Sequence, residues 1–472
     1  MHTPSLWITL PLGAVLLLAA CASTRVEPPA TAPATAQYKE SGGWQRAVAE
    51  TPVPDDWWKL FNDPVLDGLQ RQLVIGNETL KSSVAAVASA RAVVEASRSA
   101  MGPTLSAGLA TTRTASPSST AAPGASNPSN SVSLSATAAW EVDLWGRLSQ
   151  ASSGAQAALQ ASADDLTAAR LSAQALLAQT YFSLRTAEAQ ASLLERSVSG
   201  YRRSLELTQV RYDGGVAART DILQAQTQLK SAQAQLADIT AQRAQLEHAI
   251  AVLLGVAPST FGLERGAAGS GALPDAPVVP QMLPSTLLER RPDIAAAQRR
   301  VAAAYAQIGV ADAAYFPDLA LSANAGFRSS SLARLVSAPN LFWSLGASLT
   351  EAIFDGGQRK LASAQARSVA DQATSSYRQT VLTALQEVED NMVLADQLRQ
   401  EAELQGEALQ AAQRNLEITL DQYRAGTVSY LNVVVAQATA LSSESSLLAV
   451  RNRQLAAVNQ LLKNIAGRWE RV

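Results

Sequence analysis

The chain has 472 residues, and its 38 basic and 40 acidic side chains leave no basic footprint for nucleic acid or another polyanion. A single cysteine, Cys21, and two histidines, His2 and His248, exclude an internal disulfide and a zinc site of the usual Cys/His type. No G-x-S-x-G, Walker A or H-E-x-x-H motif occurs, and the carboxylates are scattered along helical stretches. The expectation is therefore neither an enzyme nor a metal or cofactor protein.

The chain opens on LWITLPLGAVLLLAA, too short and too close to the start for a stable membrane span, followed by Leu-Ala-Ala-Cys. This reads as a signal peptide over residues 1–20 ending in a lipobox, with Cys21 the acylated first residue of the mature protein, although the usual cationic start is missing. Ala22 stands where inner-membrane retention would favour Asp, so the expected destination is the outer membrane. Acyl chains on Cys21 would be the only covalent addition, anchoring the protein to a leaflet. Residues 21–56 form a Pro/Ala/Thr tether with too little apolar content to fold. DDWWKLFNDPVLDGL then gathers Trp57, Trp58, Phe61 and Leu66 ahead of a helix predicted from about Asn77 to Met101, which Pro103 stops.

Two stretches in each half of the chain alternate with period two, the mark of strands with one apolar face. In VSLSATAAWEVDL, Val132, Leu134, Ala136, Ala138, Trp140, Val142 and Leu144 share a face; TLSAGLATTRT, from Thr104, is its less regular partner. In the second half DLALSANAGFR aligns Leu319, Leu321, Ala323, Ala325 and Phe327, and LFWSLGASLTEAIF aligns Trp343, Leu345, Ala347, Leu349 and Ile353. These hairpins, over 104–144 and 318–354, have the features of outer-membrane barrel strands. Four strands cannot close a pore, since the smallest membrane barrels need about eight, and an open edge facing lipid leaves backbone groups unsatisfied. If the strands insert, copies must combine, and a trimer would supply twelve.

The rest is helical. From Arg147 to about Tyr212, and again from about Gln358 to Tyr423, proline is absent, so each continuous helix would run on the order of 100 Å. Leu177, Leu184, Ala191, Val198, Leu205 and Tyr212 are successive sevens; Val388, Ala395, Ala402, Leu409, Leu416 and Tyr423 repeat them, and the returning helix carries Val434, Leu441, Leu448, Leu455 and Leu462. Such a seven-residue repeat makes a left-handed coiled coil. A solid helical bundle satisfies it as well as a hollow one does.

One shift of 211 places Tyr212 on Tyr423, Gly215 on Gly426, Asp221 on Asn432 and Gln226 on Gln437, so the chain reads as an internal two-fold repeat. The first repeat covers 77–254 and the second 292–466, joined by a Gly/Pro-rich connector from Gly255. RYDGGVAARTD (211–221) and QYRAGTVSYLN (422–432) are the two helical turns.

ERRPDIAAAQRRVAAAYAQIGVADAAYFPDL, DDWWKLFNDPVLDGL, the pair AWEVDLWGR and IFDGGQR, and the two Y-x-x-G turns together resemble the TolC-like outer membrane factors, in the lipoprotein branch of NodT-, OprM- and CusC-type efflux channels. The resemblance covers nearly the whole mature chain. It implies a mainly α fold with membrane β: a homotrimer whose twelve shared strands form a β-barrel continued by a long coiled-coil α-helical barrel. An equatorial region, here 57–76, 255–291 and 467–472, would girdle it. The implied function is a passive duct that docks on a periplasmic adaptor and an inner-membrane pump; the alternative is an outer-membrane lipoprotein coiled-coil scaffold that conducts nothing. By the same resemblance Arg211, Gly214, Gly215 and Asp221, with Tyr423, Arg424 and Gly426, form the adaptor-docking tips, and Asp221 and Tyr423 match a pair that links neighbouring tips in the closed pore. Relatives place acidic residues just beyond the second tip, where Asn432 and Val435 stand here; Asp421, before the turn, is the candidate substitute, and Val428 replaces a basic residue of some tip links.

Overall fold

A computed structural model describes residues 39, 56–115, 117, 128–265, 273–277 and 291–465. The signal peptide, Cys21, most of the tether, much of the connector and residues 467–472 lie outside the described residues. The chain forms two compact units: one from Ala86–Ala163 and Ala296–Arg378, the other from Ala32–Ala85, Asp164–Ala295 and Gln379–Val472.

The first unit holds one antiparallel sheet of β1 (Thr104–Thr114), β2 (Ser129–Val142), β3 (Asp318–Ser329) and β4 (Leu341–Thr350), in that order. Its register keeps side chains of one kind on one face. Leu105 lies opposite Ala138, Ala138 opposite Ala323 and Ala323 opposite Leu345, while Ser106, Thr137, Asn324 and Ser344 make the corresponding row on the other face. The apolar row is left bare: Leu105, Trp343 and Leu345 are all more than two-thirds exposed. Among the described residues β1 and β4 each have one neighbour, so both outer edges are open there.

The alternation in the sequence runs on to Phe354, yet β4 stops at Thr350. Thr350 pairs with Asp318, and the next position on β3 is Pro317, which has no N–H to continue the ladder. At this end of the sheet Trp145 stacks on Phe316, with centroids 4.9 Å apart, and its Nε1 donates to the Pro317 carbonyl at 2.7 Å. Two aspartates start the long helices. Asp143 accepts from the Leu148 and Ser149 amides at the head of α3 (Arg147–Asp213), and Asp355 accepts from those of Gly357 and Arg359 at the head of α6 (Gln358–Ala425). Ile308 of α5 (Pro292–Ala313) packs on Ala366 and Ala370, whose small side chains allow close helix contact.

In the second unit Trp57, Phe61 and Leu66 are buried as the aromatic cluster in the sequence suggests, Phe61 meeting Phe182 of α3 at 4.7 Å. Asp63 caps α1 (Pro64–Gly76) and also accepts a hydrogen bond from the Tyr181 hydroxyl at 2.6 Å. The predicted helix after it is α2 (Glu78–Ser99), which ends one turn ahead of Pro103. The heptad seam of α3 is buried at Leu177, Leu184, Ala191 and Val198, and α4 (Arg219–Leu253) packs Leu229, Ala232 and Ile239 along it. Charges are paired where they are covered. Glu188 bridges Arg185 at 2.7 Å and Arg243 at 3.1 Å, Arg243 continues to Glu247 at 2.8 Å, and Glu247 accepts from the Leu263 amide, holding the start of the connector. His248 lies exposed on α4, and no cluster of metal-ligating side chains occurs among the described residues.

Candidate functional site

The two turns close in the same way. In the first, the Val216 amide donates to the Arg211 carbonyl and the Gly215 amide to that of Tyr212, both at 2.9 Å; in the second, the Thr427 amide donates to Gln422 and the Gly426 amide to Tyr423, both at 3.0 Å. Each is a Schellman motif, whose closing residue must be left-handed. Gly215 has φ 74° and Gly426 φ 80°, which glycine adopts without a Cβ clash. Gly214 keeps a negative φ, so of the two neighbouring glycines only Gly215 is demanded by the turn.

The returning helices then start differently. At the head of α4 the Asp221 carboxylate reaches back to the Ala218 amide at 3.3 Å, one half of a capping box. This also places a negative charge in the first turn, where the helix dipole favours it. α7 (Tyr430–Ile465) has Asn432 at the matching place, with its amide bonded to the Ser429 carbonyl.

A cross-link joins the tips. The guanidinium of Arg211 lies 4.7 Å from the centroid of the Tyr423 ring, and its Nη1 donates to the Tyr423 carbonyl at 2.7 Å. Tyr423 is 3% exposed, and its hydroxyl donates to Thr208 Oγ1 at 3.3 Å while Thr208 donates onward to the Ser204 carbonyl. Its ring tilts against that of Tyr430, with centroids 5.5 Å apart, over Ala225 and Val433. Arg424 pairs instead with Asp421, one turn away and exposed. Thus Arg211 and Tyr423 come together, Arg424 and Asp421 come together, Asp221 is engaged by its own helix start, and Asn432 lies exposed on the first turn of α7.

Thr208 and Tyr430 belong to this cluster and were not singled out from sequence. Tyr430 falls on Arg219 under the 211-residue shift, so the repeat gives no signal for it; its place as the first residue of a returning helix is the available one. Burial pushes the Tyr430 phenol up to about 12, helped by the nearby Tyr423, Tyr201 and Asp221, and among the described residues its hydroxyl has no hydrogen-bond partner. Above the cluster a groove of about 360 Å³ opens between α3, α6 and α7, lined by Arg196, Arg203, Arg424, Gln437 and Glu444 among others.

This architecture, an amphipathic membrane-type sheet with heptad-built helices ending in paired glycine turns, is that of an outer-membrane channel. The outer membrane efflux protein family matches residues 69–256 and 283–467, and the chain belongs to that family. The solvent efflux pump outer membrane protein SrpC of Pseudomonas putida is 30% identical over 469 residues, covering 98% of each chain. The pyoverdine export outer membrane protein OpmQ of Pseudomonas aeruginosa is 28% identical over 467 residues, covering 97% of this chain and 96% of OpmQ. Among solved structures, the outer-membrane channel OprN superposes with a TM-score of 0.85 at 28% identity, over 94% of this chain and 99% of OprN. The chain is the outer-membrane channel component of an efflux system, and the scaffold alternative is set aside.

Proposed function

We propose that this chain is a passive duct that works as a homotrimer in a tripartite pump, with Cys21 carrying the lipid anchor. The observation that carries the reading is a sheet of four strands with one apolar face and two open edges. Pairing β4 of one copy with β1 of the next satisfies both edges and closes twelve strands from three copies. The duplicated halves, supported by the two family-model segments, then give quasi-equivalent positions around the barrel and around the helical duct. On this reading residues 57–76 and the described part of 255–291 belong to an equatorial region, the rest of it lying outside the described residues.

The two turns are the docking face for a periplasmic adaptor, which couples the duct to an inner-membrane pump that supplies the energy. Arg211, Gly214, Gly215, Asp221, Tyr423, Arg424 and Gly426 form that face, with Asp221, Tyr423, Asp421 and Asn432 as the gating positions. Organic cargo is the favoured reading: four methionines and two histidines give no sign of a soft-metal path, and relatives are named for solvent and pyoverdine export.

Native mass measurement of detergent-extracted protein, paired with planar-bilayer conductance, tests the assembly. A conducting trimer is expected; a monomer, or a trimer that passes no ions with every adaptor contact engaged, would refute it.

A further inference from the structure

Ile353 and Phe354 follow β4 and are 95% and 90% exposed, an adjacent apolar pair with no cover among the described residues. We infer that this pair is a clasp between copies, seated on Gly102 and Pro103 of the next copy. The inference rests on the trimer proposed above and names a contact inside it.

The chain completes one such strand junction by itself. There Trp145, three residues past the end of β2 at Val142, stacks on Phe316, two residues before β3, and bonds the Pro317 carbonyl. In the second half Ile353 stands three residues past the end of β4 at Thr350, with Phe354 next to it. The other open edge, β1, is preceded by Gly102-Pro103 as β3 is preceded by Phe316-Pro317. Placing β4 against β1 of a second copy therefore recreates the β2–β3 junction, with Ile353 and Phe354 where Trp145 sits.

The side chains are complementary at that junction. Within the chain a ring before the strand meets a ring after it. Between copies the residue before the strand is glycine, and the space a ring would occupy there is open, a Cβ on Gly102 meeting only the Ser99 carbonyl at 3.5 Å. Ile353 and Phe354 are the bulk that fills it. The backbone they would rest on is already fixed, since Trp140 Nε1 donates to the Met101 carbonyl at 2.8 Å.

The test is a Gly102→Cys/Phe354→Cys variant of the full chain, oxidised in membranes and run without reductant. Disulfide-linked species up to the trimer are expected from the pair and from neither single variant. In parallel, Ile353→Ser/Phe354→Ser should lower the temperature at which the trimer dissociates in dodecyl sulfate. A wild-type monomer would overturn the assembly itself. A wild-type trimer with no cross-link and an unchanged dissociation temperature would overturn the clasp alone. Labelling of Phe354→Cys by a lipid-soluble maleimide within an intact trimer would assign the pair to lipid, and would also overturn it.

Discussion

The two helical turns share a backbone and differ in what they hold. Both end in a Schellman closure on a left-handed glycine, yet the tyrosines that align across the repeat have opposite fates: Tyr212 is 38% exposed and Tyr423 is 3% exposed. The reason lies one residue earlier. Arg211 extends from the first turn to cover the ring and carbonyl of Tyr423, while its counterpart Gln422 lies exposed and Tyr212 receives no such cover. The first turn therefore acts as the clamp and the second as its seat. The two turns share a closure chemistry, which the backbone enforces, and differ in side chains, which only partners enforce.

The shared closure is broken most severely by proline. Gly215→Pro or Gly426→Pro demands φ near −65° where the turn has 74° or 80° and removes an amide that closes the motif, a cost of roughly 3 kcal/mol or more at either position. Export should be lost while outer-membrane content of the protein stays at the wild-type level; susceptibility assays and membrane immunoblots read the two separately. Gly215→Ala is the milder test. Its Cβ meets open space, so only the left-handed backbone resists, at about 1–2 kcal/mol.

The difference between the turns is sharpened by paired substitutions. Arg211→Ala removes the hydrogen bond and the cation–π contact to Tyr423, and should loosen the tips by about 1–2 kcal/mol, because the Tyr423 carbonyl keeps its bond from Gly426. Gln422→Ala, at the matching place, should change amide-exchange protection little. Equal loss of protection in both variants would refute the clamp-and-seat asymmetry. Tyr423→Phe breaks the bond to Thr208 and should cost about 1 kcal/mol, against almost nothing for Tyr212→Phe.

Much of this was legible before any coordinates. The 211-residue shift located both turns, period-two alternation placed all four strands, and the sequence gathers Trp57, Trp58, Phe61 and Leu66, which the fold buries together. What sequence could not supply was partnership. Tyr212 and Tyr423 look equivalent in the repeat, and what separates them is partners that the repeat does not record: Arg211 across the tips, Thr208 at the hydroxyl and Tyr430 against the ring. The alternation through Ile353 likewise overruns the true strand, because its end is set by Pro317 on the neighbouring strand, which no local pattern records. Asp221 was read as a gating residue, and the structure adds a local role, the cap on α4, that its spacing from Ala218 could have suggested.

The smallest effect at neutral pH belongs to Tyr430, behind the seat. Its hydroxyl is buried without a partner, so Tyr430→Phe should be neutral or stabilising by up to about 1 kcal/mol. The alkaline range distinguishes this from a bland substitution. The folded phenol has its pKa raised from 10.0 to about 12, chiefly by burial. Below pH 10 both states keep the proton and the contribution is complete; as pH rises towards 12 the unfolded chain ionises first, and stability falls until the folded phenol ionises too. Tyr430→Phe should therefore flatten the decline in melting temperature across that window. The decline will not vanish, since burial also raises the pKa of Tyr201. A variant with the wild-type alkaline slope would show that the seat opens to solvent before Tyr430 titrates, and that the second turn is held less firmly than its clamp implies.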